Sequence, residues 1–201
     1  MNVIPNLLSY ILLLHVLVLQ NKSENWYNIQ ADEEKIHWHK NVSLDWNDFL
    51  ASPNLKSHYS AESSLNISYG MKIKESNGKT TVDFEVNCYF DRSESWVKNE
   101  KRTPQLLGHE QIHFDIAEYF ARKLRKEFSE HSYTTLNFQT KSESIFAIIY
   151  KDYANYQAQY DALTKHGSNH DAQAVWAKKV GELISKSERF EKERWEASSV
   201  N

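Results

Sequence analysis

The sequence predicts an α+β fold in which an antiparallel β-sheet precedes three helices. Two stretches between residues 65 and 90 alternate apolar and polar residues, and an Asn-Gly pair separates them. From residue 103 onward the apolar residues recur at helical spacing instead. The chain has 201 residues, of which 40% are hydrophobic and 25% charged, so it is long enough and apolar enough to bury a core.

The first twenty residues differ from the rest. No charged residue occurs between Val3 and Leu19, and apolar runs occupy residues 11–14 and 16–19. This block is too short and too interrupted for a transmembrane helix but suits the hydrophobic region of a signal peptide. No Lys or Arg precedes it and no small-x-small cleavage site follows, which leaves an uncleaved anchor or a buried segment as alternatives.

We therefore predict a signal peptide over residues 1–20 and a single domain over residues 25–198. The protein is expected to be secreted or periplasmic, and to contact the membrane only through the signal segment. The oligomeric state is not predicted by any pattern in the sequence.

The strands come first along the chain. Residues 65–73 place apolar side chains at every second position, and residues 82–90 do the same. Asn77-Gly78 between them is a strong signal for a two-residue hairpin turn. Two shorter strands are predicted at residues 36–39 and 42–46.

Three helices follow. Thr103 is a suitable N-cap for the first, which carries an apolar stripe and ends near Phe128. The second begins at Ser142 and ends before Gly167, a typical C-terminal stop. The third runs from about residue 171 into the 190s.

Charge and cysteine content exclude several classes of protein. A formal net charge of −3 lacks the excess of basic residues that is typical of nucleic-acid-binding proteins. The basic cluster in the first helix is interleaved with apolar residues and is predicted to be a solvated face; its members are Arg122, Lys123, Arg125 and Lys126. The single cysteine, Cys88, excludes an intrachain disulfide and a multi-cysteine zinc site, so a metal would be held by His and carboxylate groups. Cys88 itself falls on the apolar side of its strand.

The first helix contains the sequence His-Glu-Gln-Ile-His at residues 109–113. On a helix, His109 and His113 lie one turn apart on the same face, as two nitrogen ligands of one zinc ion require. Glu110 would lie beside the metal and could act as general base towards water. The alternative is a pair of structural histidines on a half-buried helix face.

A catalytic zinc site needs a third protein ligand. If the second helix packs antiparallel to the first, residues near position 157 and beyond pass the metal. His166 is the favoured third ligand, Asp161 is the carboxylate alternative or a residue that orients an imidazole, and His170 is a rival to His166. Tyr160 could donate a hydrogen bond to a developing oxyanion, with a core aromatic as the alternative.

The run of residues 106–118 resembles a bacterial family known as domain of unknown function 922. The similarity extends to Tyr160-Asp161, Thr164, His166-Gly167, Gln173 and Trp176, and to residues 44–49 and 95–97. It thus spans most of the chain from about Ile36 to Trp176. The resemblance implies a secreted, zincin-like zinc-dependent protease, with His109 and His113 as metal ligands and Glu110 as the catalytic residue.

These observations predict a secreted zinc-dependent metallohydrolase, namely a peptidase that acts on a peptide or protein substrate and uses Zn²⁺. One alternative is a non-catalytic zinc-binding envelope protein in which the metal is structural. Another is a metal-free binding module. Three protein ligands plus water would indicate catalysis, and four protein ligands a structural site.

Overall fold

The computed structural model describes residues 34–76, 79–134 and 136–198. The predicted signal peptide and the predicted Asn77-Gly78 turn lie outside these residues. The described elements follow one another as β1 (Lys35–His37), β2 (Ala61–Ser76), β3 (Lys79–Val97), α1 (Pro104–Glu130), α2 (Phe138–Thr164), α3 (His170–Lys186) and β4 (Arg194–Ser198). The α+β order, a sheet followed by three helices, is confirmed; β4 was not predicted.

The sheet is antiparallel and built around β3. One edge of β3 pairs with β2 along almost its whole length, with Leu65 opposite Phe90 and Ser76 opposite Lys79. β1 and β4 also pair with β3, at residues 89–91 and 81–85 respectively. Because β3 has only two edges, β1 and β4 share the edge that β2 leaves free.

The two long strands extend beyond the predicted boundaries, but the predicted strand at residues 42–46 is wrong. A short 3-10 helix, Trp46–Asp48, follows this segment instead. The Asp45 side chain accepts a hydrogen bond from the Asn47 backbone N–H, and the Asp48 side chain accepts one from the Asp45 backbone N–H. This reciprocal capping satisfies backbone donors locally, so the segment needs no partner strand.

The apolar face of the sheet packs against α1. The alternate residues of β3 from Val82 to Phe90 are almost completely buried, and Cys88 is among them, as predicted. Facing them from α1 are buried apolar residues that include Phe114, Leu124 and Phe128. The rings of Phe84 and Phe128 stack with centroids 4.3 Å apart. This packing holds α1 across the sheet and fixes where its first turns lie.

The basic cluster on α1 differs from the prediction. Arg122 and Arg125 are only 2% and 1% exposed, and both donate to Glu118 at 2.8 Å. Arg125 also donates to the backbone carbonyls of Val86 and Phe190, and so ties β3 to the C-terminal part of the chain. The prediction of a solvated face was wrong for these two arginines because Glu118, one and two turns earlier on the same helix, accepts hydrogen bonds from both and balances one of their two charges.

α1 and α2 begin and end near the predicted residues, but the prediction that the third helix continues into the 190s is wrong, because α3 ends at Lys186 and β4 follows at Arg194–Ser198. Thr103 caps α1 as expected, because its side-chain oxygen accepts a hydrogen bond from the Leu106 N–H. α2 begins four residues before the predicted start, at Phe138, and ends at Thr164. Lys165, His166 and Gly167 then adopt positive φ angles of 51°, 51° and 81°, which turn the chain towards α3. Among the described residues, no helix is both long and apolar enough to cross a membrane.

Candidate metal centre

Three metal-ligating side chains converge where the first turns of α1 meet the last turns of α2. The Nε2 atoms of His109 and His113 are 3.1 Å apart. Asp161 Oδ1 lies 3.1 Å from the first and 3.0 Å from the second. These residues form the group of potential metal ligands found in the described part of the chain. They supply two nitrogen atoms and one oxygen atom at the corners of a nearly equilateral triangle.

This triangle suits zinc in chemistry and in size. Imidazole nitrogen and carboxylate oxygen are both normal zinc ligands. Tetrahedral zinc with bonds of about 2.0–2.1 Å requires ligand atoms about 3.3–3.4 Å apart, so the ligand atoms would need to separate by no more than about 0.4 Å. The three side chains differ in exposure: 3% for His109, 12% for His113 and 30% for Asp161. The group is therefore buried on one side and open on the other.

Gln157 fixes the orientation of the His113 ring. His113 Nδ1 lies 2.6 Å from Gln157 Oε1, and Gln157 Nε2 donates to the His113 backbone carbonyl at 3.0 Å. Because an amide oxygen can only accept, Nδ1 must carry the ring proton of neutral His113. The lone pair of Nε2 is then left facing Asp161 and His109, which is the arrangement of a metal-binding histidine.

Tyr160 plays the corresponding part for His109. The Tyr160 hydroxyl lies 2.9 Å from His109 Nδ1 and 3.4 Å from the His109 backbone carbonyl. The hydroxyl can thus accept from Nδ1–H while it donates to the carbonyl, again leaving Nε2 free for metal. Tyr160 is completely buried. This position supports a role in orienting His109, while donation to an oxyanion stays a prediction.

We expect Gln157→Leu to weaken zinc binding by about 10- to 100-fold, because the His113 ring loses the acceptor that sets its tautomer. The affinity would be measured by competition with a chromogenic zinc chelator. Gln159→Leu is the matched control, since Gln159 is exposed on the same helix. Equal affinities for the two variants would contradict the role given to Gln157.

His166, the favoured third ligand, lies beside this group. Its Nδ1 is 3.2 Å from Asp161 Oδ1, but the group of three ligands contains neither His166 nor His170. The His166 side chain is 49% exposed, and His170 begins α3. The geometry thus favours Asp161, the carboxylate alternative, as third ligand. A zinc bond to His166 stays a prediction.

Gly167 allows the turn after α2 to pass close to His109. Its φ angle of 81° is in the left-handed region, where glycine is favoured. A Cβ atom at this position would lie 3.1 Å from both Cβ and Cγ of His109. A side chain here would therefore displace His109 or strain the turn.

Charge interactions within the group favour the ionised carboxylate of Asp161 and the protonated ring of His113. Burial raises the pKa of Asp161, but hydrogen bonds and charges from His109 and His113 outweigh burial and bring the pKa below its usual range. Burial lowers the pKa of His113, but the Asp161 hydrogen bond and the charges of Glu110 and Asp161 outweigh it, so the net direction is upward. The three groups are thus electrostatically complementary.

Glu110 lies in the same cavity as the three potential ligands. It is 5% exposed and lines a cavity of about 610 Å³ that is also lined by His109, His113 and Asp161. Ser63 Oγ donates to Glu110 Oε2 at 2.6 Å. A carboxylate, a candidate metal site and a space for a ligand therefore share one cavity, which is the arrangement that base-assisted hydrolysis requires.

The three residues of this group were all named from the sequence, but Gln157, which contacts His113, and Ser63, which contacts Glu110, were not assigned a role. In the sequence, Gln157 served only to mark the part of the second helix that passes the metal. It precedes Asp161 by one helical turn, however, and so lies on the same helix face. Ser63 carried no signal, because a serine near the start of a strand is ordinary.

The family model for bacterial proteins of unknown function, DUF922, matches residues 50–167, more than half of the chain. The matched region includes β2, β3, α1, α2 and every residue of the metal centre described above. Comparison with curated proteins and with solved structures gave no significant match. The resemblance found in the sequence is thus confirmed, and the chain belongs to the DUF922 family.

Proposed function

We propose that this protein is a zinc-dependent hydrolase and that its substrates are peptides. The observation that carries the proposal is the meeting of His109, His113 and Asp161 in one cavity with Glu110. The two histidines and the aspartate would hold the ion. Zinc at such a site supplies Lewis-acid chemistry, which makes water more acidic and a carbonyl carbon more electrophilic.

Glu110 is the general base in this proposal. It neighbours His109 on α1 but, among the residues that the structure describes, belongs to no group of potential metal ligands, so its carboxylate is available to exchange protons. It would accept a proton from the attacking water and return it to the nitrogen of the departing amine. The carboxylate lines the cavity and accepts a hydrogen bond from Ser63 in β2.

The position of β2 supports a peptide as substrate. Residues 60–63, at the start of β2, line the cavity beside Glu110. β2 pairs with β3 along one edge, and within the described ranges no strand covers its other edge. An extended peptide could pair with this edge through backbone hydrogen bonds and bring a carbonyl group to the metal centre.

The zincin-like fold and the secreted location belong to this proposal as well. Support for the fold comes from the antiparallel sheet, the helix that carries His109-Glu110 and His113, and the ligand supplied by the next helix. Support for export comes from the uncharged, apolar block at residues 3–19.

The test is peptide cleavage by the full-length protein after loading with one equivalent of zinc. A mixed peptide library would be incubated with it and the products identified by mass spectrometry. We expect cleavage that stops on addition of a zinc chelator and returns when zinc is restored. A protein that binds zinc tightly yet leaves every peptide intact would overturn the proposal.

A structural zinc site is the second candidate, and one observation favours it. His166 Nδ1 lies close enough to Asp161 Oδ1, at 3.2 Å, to make His166 a possible fourth protein ligand. Four protein ligands would leave no place for water. X-ray absorption of the zinc-loaded protein separates the candidates, because three protein ligands plus water indicate hydrolysis and four indicate structure.

A further inference from the structure

The pairing of β2 with β3 is interrupted beside the metal centre. Glu62 lies opposite Trp96, but the next paired residue, Ser64, lies opposite Asp91. One residue of β2, Ser63, therefore faces a bulge of four residues, 92–95, in β3. Bulges of this kind commonly place a side chain at a functional site.

Hydrogen bonds within the bulge fix the conformation of its backbone. Asp91 Oδ1 accepts from the backbone N–H groups of Ser93 and Glu94. The completely buried Ser95 donates its hydroxyl to the Asp91 carbonyl at 2.6 Å and accepts from the Ser64 N–H at 2.9 Å. The Ser95 hydroxyl thus replaces a missing backbone acceptor and keeps β2 in line next to Ser63.

Strand alternation then turns Ser63 towards α1. Ser63 has the same parity as Leu65 and Ile67, which pack on the helix side of the sheet. Its hydroxyl meets Glu110 Oε2 at 2.6 Å, the short distance of a hydrogen bond to a charged acceptor. Among the described residues Glu110 has no other hydrogen-bond partner, and Oε1 is therefore left for water in the cavity.

We propose that Ser63 is a positioning residue for the proposed reaction: it holds one oxygen of Glu110 so that the other faces the water to be activated. This rests on the proposed function, in which Glu110 is the base. Without the hydroxyl, the carboxylate would rotate about its last side-chain bond, and fewer encounters would have the geometry needed for proton transfer.

The first test is the kinetics of Ser63→Ala in the zinc-loaded, full-length protein. We expect kcat to fall about 10-fold with KM changed less than about 2-fold, and zinc stoichiometry to stay the same. Ser63→Thr keeps the hydroxyl and is compatible with a strand, so it should restore most of kcat. The matched control is Ser64→Ala, since the Ser64 hydroxyl bonds to Glu94 instead.

A double-mutant cycle tests whether Ser63 acts through Glu110. In the Glu110→Gln background, Ser63→Ala should change the residual rate less than about 2-fold, because no carboxylate is left to position. An undiminished effect of Ser63→Ala in that background, or an unchanged kcat in the single variant, would overturn the proposal.

A structural measurement decides the proposal even if the wild-type protein cleaves no peptide. Crystal structures of the zinc-loaded wild type and Ser63→Ala would be compared at the Glu110 carboxylate. We expect rotated or multiple carboxylate orientations in the variant only. The same single orientation in both proteins would overturn the role of Ser63, whereas absence of cleavage by the wild type would overturn only the peptidase function.

Discussion

Glu110→Gln is expected to slow peptide cleavage by orders of magnitude while leaving zinc bound. The amide has nearly the shape of the carboxylate and its oxygen can still accept from Ser63, but it cannot take a proton from water. General base catalysis contributes about 10²–10⁴ in rate, so kcat should fall by that factor. The measurement is the rate of cleavage of the best peptide from the library, together with zinc content per chain.

The control for this change is Glu127→Gln, the same substitution in the last turn of the same helix. Glu127 is half-buried far from the cavity, so its variant should cleave at the wild-type rate. If Glu110→Gln retained more than about a tenth of the activity with its zinc in place, Glu110 would not be the base.

Among substitutions at residues other than His109 and His113, Asp161→Asn is expected to weaken zinc binding most. Structural zinc sites bind with about 10–16 kcal/mol shared among four ligands, so one ligand is worth about 3–4 kcal/mol. The affinity should therefore fall by roughly 10²–10³. An amide oxygen at this position carries no negative charge to balance the ion.

His166→Gln provides the comparison, because His166 touches Asp161 without belonging to the group of three. We expect its zinc affinity to fall no more than about 10-fold, as for the loss of a group that supports a ligand. Both affinities would be measured by the same chelator competition. A loss with His166→Gln equal to that with Asp161→Asn would instead make His166 a ligand and favour the structural zinc site.

The metal centre shows which site residues a local sequence pattern can predict and which depend on packing. His109 and His113 were identified from their spacing alone, since four residues on a helix bring two side chains to one face. The third member of the group depends on where another helix passes, and the count along an antiparallel helix pair led to the turn of α2 that carries Asp161. It did not separate Asp161 from His166, because the backbone turns with positive φ after Thr164 and leaves His166 half exposed.

Neither composition nor periodicity predicts that Arg122 and Arg125 are buried. Four basic residues near a helix end are typical of a solvated face, and two of the four do lie there in part. The other two are buried because Glu118 accepts hydrogen bonds from both, and because backbone carbonyls of β3, of α3 and of the segment after α3 accept further hydrogen bonds from them. Those carbonyls are 39 to 65 residues distant in sequence.

The sequence by itself determined the order of the long strands and the three helices, the N-cap of α1, and the helix that carries His109, Glu110 and His113. These features depend on side-chain period and on hydrogen bonds between residues a few positions apart. Only the tertiary structure decided that Asp161 completes the group, that Gln157 and Tyr160 orient the imidazoles, and that Ser63 meets Glu110. Each of those contacts joins residues more than 40 positions apart, so it exists only after the sheet and the helices have packed.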